Sequence, residues 1–204
     1  MSEIITRRGK IIEDPPFLRS AARWLFNKVQ AAWLWLPVRI WLGYRWIDAS
    51  LNKIDNPAWV STGEALKGFW ANAVSIPEGG RPPIAFDWYR NVIQWLLDTG
   101  SYTWFGKLIA YGEMLLGVAL ILGAFTGIAA FFGGFMNWNF MMAGSASINP
   151  MMLLVSFGLI LAWKVAGQIG VDRFLLPLVG VPWQWELPSG ESELQPGELA
   201  GASD

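Results

Sequence analysis

A helix that crosses a bilayer core of about 30 Å needs about 20 mostly apolar residues. This 204-residue chain holds four such stretches, at 31–50, 104–124, 126–145 and 150–167. Backbone buried in hydrocarbon has to satisfy its hydrogen bonds within its own segment, so these stretches predict helices. The junction from Gly123 to Gly127 leaves room only for a turn, which makes spans two and three an antiparallel hairpin. A second short link, from Gly144 to Pro150, joins spans three and four, with Pro150 suited to the first turn of a helix. The fold expected is all-α: an integral membrane four-helix bundle, with residues 31–183 as the membrane domain.

Lys and Arg near the spans set the orientation. Arg7, Arg8, Lys10, Arg19, Arg23 and Lys28 crowd the first 30 residues, whereas the longer insert at 52–103 holds only Lys53, Lys67, Arg81 and Arg90. Both termini are therefore expected on the cytoplasmic side of the inner (plasma) membrane, with the insert outside. On the cytoplasmic side Lys164 is expected to snorkel and Arg173 to sit at the interface. The first apolar run starts late and lacks a small-residue cleavage pattern, unlike a signal peptide. Within the 1–30 segment, residues 17–29 read as an interfacial helix, or else as an early start of the first span. The insert reads as two helices, at 58–73 and 85–98, around a linker of Pro77, Gly79, Gly80, Pro82 and Pro83. Trp33, Trp35, Trp104 and Trp163 fall where interfacial anchors accumulate. The stretch 184–204, with Glu191, Glu193, Glu198 and Asp204 among Pro, Ser and Gly, reads as a disordered acidic tail.

Composition narrows the chemistry. Only 15% of the residues are charged, against roughly a quarter in an ordinary soluble domain. The chain has no Cys and no His. Disulfides, thiolate iron–sulfur clusters, histidine-ligated haem and the usual zinc sites are thus not expected, and no metal site is assigned. A net charge of −1 without a basic run gives no reason to expect nucleic acid.

Ionisable groups inside a span are expensive, at least about 2.5 kcal/mol on insertion scales, and each is a functional candidate. The first span carries Arg39, Arg45 and Asp48, the second Glu113, and the third Asn137 and Asn139. At about 1.5 Å per residue, Arg45 and Glu113 sit within one turn of the same depth in the outer half, where Asp48, Asn139, Ser147 and Asn149 also lie. Arg39, Gly43, Trp46, Ser50 and Lys53 form one stripe of the first span, and Arg45 and Asp48 a neighbouring stripe that can pair with itself. Gly106, Glu113, Gly117 and Leu120 align in the second span, and Ala130, Gly134, Asn137 and Met141 in the third. Small residues beside one strongly polar residue mark close helix approach, so Arg39, Arg45 and Glu113 serve equally as interhelical glue or as a substrate site, while Asn137 and Asn139 read first as glue.

These residues, in this order, resemble the DoxX family of four-helix membrane proteins, and within it the DoxD-type subunit of thiosulfate:quinone oxidoreductase. The likeness spans about 37–178. It rests on Arg39, Gly43, Arg45, Trp46, Asp48 and Lys53; on Tyr111, Glu113, Gly117, Leu120, Gly123 and Thr126; on Asn137, Gly144, Ser147, Asn149 and Pro150; and on Gly170, Asp172 and Arg173. The resemblance implies transfer of electrons from thiosulfate to a membrane quinone, giving tetrathionate, beside a second small redox subunit.

Holding thiosulfate dianions calls for cations, and the electrons need an exogenous acceptor, a role that an exchangeable quinone fills. Arg45, Glu113 and Asp48 are the candidate catalytic residues, with Arg39, Lys53, Asn137 and Asn149 as candidate binding residues. The alternative is a non-catalytic scaffold, in the bilayer as a homo-oligomer or beside a peripheral redox or sulfur-handling partner. A small carrier or channel is a third reading, with no internal repeat to support it.

Overall fold

The computed structural model describes residues 15–180, and every element among them is a helix. The acidic tail at 184–204 and the cationic cluster at 7–10 lie outside the described residues. A first helix, α1 (Pro16–Asn27), leads through a 3₁₀ turn (Val29–Ala31) into α2 (Ala32–Ile54). The insert supplies α3 (Pro57–Val60), α4 (Glu64–Val74) and α5 (Asp87–Asp98). The remaining elements are α6 (Tyr102–Leu122), α7 (Thr126–Met142), α8 (Asn149–Leu161), α9 (Trp163–Ala166) and α10 (Asp172–Leu178).

Two tight pairings, α2 with α6 and α7 with α8, build the bundle. The first rests on small residues. A Cβ on Gly43 would lie 2.8 Å from the backbone oxygen of Gly117, and one on Gly117 would lie 2.8 Å from that of Gly43. The two backbones therefore touch at this crossing, as small-residue membrane helices do. Seven residues along α2 from Gly43, the Ser50 hydroxyl donates to the carbonyl of Ala110 at 2.7 Å, pinning the antiparallel register. Because neither obstacle is a flexible side-chain tip, Gly43→Ala is expected to push the helices apart and cost about 1–3 kcal/mol. Thermal unfolding in detergent micelles checks this, and an unchanged midpoint would contradict the contact.

Trp35, Leu42, Trp46, Leu116, Leu120 and Leu159 form the central core. A second core, with Leu66, Trp70, Ile84, Tyr89 and Ile93, seats the insert against Ile109 of α6 and Ala143 beyond α7. Outside these cores the four long helices turn large apolar side chains outward, among them Leu115, Ile128, Phe131, Phe135, Leu154 and Leu161, all more than half exposed. By length and hydropathy, one helix among the described residues, α6, qualifies to cross a membrane, and α8 is a shorter apolar helix. The other long helix, α2, carries Arg39, Arg45, Asp48 and Lys53; α7 and α8 have 17 and 13 residues.

Several local expectations change. The single insert helix at 58–73 is broken at Gly63, whose φ of +76° is left-handed and whose Cβ would lie 2.4 Å from the Tyr102 oxygen. Only glycine accepts that turn and that approach. The fourth span is interrupted at Ala162, which separates α8 from α9. α1 is a separate helix with Phe17, Leu18 and Trp24 exposed, not an early start of α2. Trp35 is buried instead of interfacial, its indole N–H donating to the Leu25 carbonyl at 2.9 Å.

Candidate functional site

At the end of the bundle that carries the insert, α2, α6, the end of α7 and the start of α8 enclose a cavity of about 280 Å³. Four sequence candidates line it: Arg45, Lys53, Glu113 and Asn149. The carboxylate of Glu113 is fully buried, and its partner is Lys53, whose ammonium donates to Oε2 at 2.8 Å. Arg45, which shares the depth of Glu113, pairs instead with Asp48, as their spacing allows, and Glu113 is met by Lys53 from a longer reach. Lys53 lies at the end of α2, and its stem runs back along the helix while its Nζ also donates to the Ala49 carbonyl at 3.2 Å.

Aromatic faces complete the seat of Lys53, with the Trp59 ring centroid 5.4 Å and the Phe140 centroid 5.9 Å from Nζ. Such faces stabilise a cation away from water. Arg45 is held more loosely, about a third exposed and 3.5 Å from Asp48. At that length the contact is a weak ion pair and leaves the guanidinium able to turn to a ligand. Glu113 Oε1 and Trp46 Nε1, on two residues that line the cavity, have no hydrogen-bond partner within the protein. Buried polar groups of this kind are costly unless something else satisfies them. Ser147, on the rim, adopts a φ of +37°, rare for a residue other than glycine and the sort of strain that collects at functional sites.

The structure separates the other candidates. Asp48 touches the site only through Arg45. Asn137 is buried on α7 outside the cavity lining, its amide without a protein partner. Arg39 lies at the opposite end of the bundle and cannot share a ligand with Arg45 or Lys53. Its guanidinium donates to the carbonyls of Ala166 at 3.2 Å and Ile169 at 2.7 Å. Beside it Asp172 accepts the N–H groups of Phe125 at 2.6 Å and Thr126 at 2.9 Å, capping the start of α7. A Cβ on Gly123 would fall 1.8 Å from Arg39 Nη1, and one on Gly170 would fall 2.8 Å from it. Arg39, Asp172 and these glycines form a structural clamp.

Sequence reasoning missed Trp59, Phe69 and Phe140 as walls of the cavity. The one available signal was Trp59, six residues after Lys53 and just past the Asn56–Pro57 helix start. Phe69 and Phe140 carry no mark in the sequence.

Those two rings also line a second chamber, of about 260 Å³, between the insert and the faces of α6 and α7. Its lining is apolar except for Tyr89 and Asn139. A phenol is protonated at neutral pH, so the Tyr89 hydroxyl is a donor, and burial pushes it further above its ordinary value. The described residues contain no group of three or more His, Cys, Asp or Glu arranged to hold a metal ion. Comparison with family models, curated proteins and solved structures finds no match to this chain.

Proposed function

We propose that the chain is a four-span inner-membrane protein, both termini cytoplasmic, that serves as the membrane subunit of a quinone-linked oxidoreductase acting on a small sulfur oxyanion. Thiosulfate is the substrate that the DoxD-like residue pattern suggests. The observation that carries the reading is the convergence of Arg45, Lys53 and Glu113 on one cavity at the insert end.

For the spans, the support is the many large apolar side chains that the long helices leave exposed; apolar surface of this kind marks a protein or membrane contact. α8 rises about 20 Å over its 13 residues at 1.5 Å per residue, and after the break at Ala162 the chain continues into α9. The charges of α2 at Arg39 and Lys53 face protein partners instead of lipid.

In the cavity Arg45 and Lys53 hold the oxyanion by charge, and the aromatic walls exclude water and strengthen that attraction. Two thiosulfate dianions each give up one electron and join through a new S–S bond as tetrathionate. A quinone supplies the acceptor chemistry, taking two electrons and two protons to become the quinol. Glu113, fully buried beside Lys53, is the carboxylate placed to pass protons.

Full-length chain in nanodiscs, alone or with its native partners, is expected to reduce a soluble quinone analogue when given thiosulfate. Arg45→Ala should lower that rate about a hundredfold, the usual scale for losing one charge-stabilising group, and Glu113→Gln should abolish it. Absence of thiosulfate-dependent reduction in the wild type sinks the reading.

A second reading, a non-catalytic scaffold, is favoured by one observation: the cavity charges are already paired, Lys53 with Glu113 and Arg45 with Asp48. Gentle detergent purification with mass spectrometry separates the two, since a scaffold brings a cofactor-bearing chain with it.

A further inference from the structure

We propose that the apolar chamber behind the insert is a binding site for a single-ring lipophile with a hydrogen-bond-accepting group, which reaches it sideways from the bilayer between α5 and α7. This deepens the proposed function and rests on its membrane reading: it locates the lipid-borne partner of the polar cavity.

The walls define the ligand. Phe69, Trp70, Phe105, Phe135 and Phe140 supply rings around the chamber, a lining that takes a flat apolar ring by offset or edge-on stacking. At about 260 Å³ the space falls just below the roughly 300–1,000 Å³ of drug-sized pockets, enough for one substituted ring and too small for a two-chain lipid. Tyr89, on the chamber wall and 5% exposed, donates to both the backbone and side-chain oxygens of Asn139 at 3.1 Å each. Both contacts are long, so a carbonyl-type acceptor in the chamber can take that hydroxyl at small cost.

The mouth defines the source. Val92 and Phe135 line the chamber and are also about half exposed, so it opens between α5 and α7. On α5, Trp88 and Trp95 stand four residues before and three after Val92, exposed at 56% and 62%. The three make one apolar stripe on the outward side of a helix whose Tyr89 and Ile93 face the protein. Asp87, Arg90, Gln94 and Asp98 occupy the polar face. A helix with this division lies in a membrane interface. Ring contacts from Trp88 to Tyr89 (5.5 Å), Tyr89 to Trp138 (6.3 Å) and Trp138 to Phe135 (6.0 Å) carry the stripe onto the exposed face of α7. The opening therefore faces lipid. Inside, the Phe140 ring that walls the chamber is the one 5.9 Å from Lys53 Nζ, which leaves a single side-chain layer between the two cavities.

The test uses full-length chain in nanodiscs and two tritiated probes, a decyl benzoquinone and decylbenzene, with uptake by protein-free nanodiscs subtracted. Wild type is expected to bind the quinone saturably, one per chain, and about threefold to tenfold more tightly than decylbenzene, the range for one net hydrogen bond. Tyr89→Phe should erase that difference and leave decylbenzene binding unchanged. Ala143→Leu, which fills the chamber, and Val92→Trp, which plugs its exposed mouth, should each weaken quinone binding at least tenfold. Quinone uptake equal to that of protein-free nanodiscs overturns the site, as does binding indifferent to both Ala143→Leu and Val92→Trp. Equal weakening of the two probes by Tyr89→Phe also overturns it. Thiosulfate-driven quinone reduction that survives Val92→Trp removes the site and leaves the oxidoreductase reading intact. Saturable binding that responds to these substitutions in a protein without thiosulfate activity does the reverse.

Discussion

Replacing Asp172 with alanine is expected to destabilise the chain by about 3–5 kcal/mol, the cost of removing one partner from a buried charged arrangement. Two losses combine. The first is the cap of α7: the Asp172 carboxylate accepts from Phe125 and Thr126, whose N–H groups have no partner inside the helix. The second is the loss of a carboxylate, itself 1% exposed, within electrostatic reach of Arg39, also 1% exposed. Two carbonyls hold the Arg39 guanidinium in place, but they carry no net charge to offset it. Asp172→Asn retains one acceptor oxygen and should fall between alanine and wild type. Unfolding in detergent micelles, followed by circular dichroism, measures all three. A change of less than about 0.5 kcal/mol in Asp172→Ala, the size of an ordinary surface substitution, removes the clamp from the account.

The second large effect lies at the other end of the bundle. Lys53→Met leaves the Glu113 carboxylate, whose side chain is 1% exposed, without its cation and should cost a similar 3–5 kcal/mol. Removing both charges in Lys53→Met/Glu113→Gln should bring stability back to within about 1–2 kcal/mol of wild type, because a buried ion pair replaced as a unit is often nearly neutral. Function should not follow stability. The double variant is expected to fold and to bind no thiosulfate by titration calorimetry, since the cavity keeps only Arg45 as a cation. A double variant no more stable than Lys53→Met would mean that the pair is not an isolated unit. One that binds thiosulfate like wild type would place the anion elsewhere.

Much of the architecture was legible in the chain. The α6–α7 turn follows from Gly123, whose φ is +67° at the end of α6, and from the short link to Thr126. The start of α8 follows from Pro150 in its first turn. The stripe of Arg39, Gly43, Trp46 and Ser50 is the buried face of α2, as its spacing predicts. Breaks caused by neighbours were not legible. Gly63 interrupts the insert because Tyr102, 39 positions later, leaves no room for a side chain there. No local pattern marks that approach.

The site divides along the same line. A charge within an apolar stretch is visible in the sequence, so Arg39, Arg45, Asp48 and Glu113 stood out; of these Arg39 and Glu113 are buried, whereas Arg45 and Asp48 are partly exposed. Their partners did not, because partnership depends on side-chain reach and helix register. Arg39 and Arg45 are six residues apart on one helix, close to two turns, yet they serve opposite ends: Arg39 turns to carbonyls at and just beyond the end of α9, Arg45 to the insert cavity. The sequence by itself determined which segments are helical, which faces are buried and which few charges needed partners, because hydropathy and periodicity act along the chain. Only the tertiary structure decided that Lys53 answers Glu113 across 60 positions and that two aromatic rings divide a polar cavity from an apolar one. Both outcomes depend on the α2–α6 register, set by backbone contact at Gly43 and Gly117 and by the Ser50 bond, and on how the insert folds against α6 and α7.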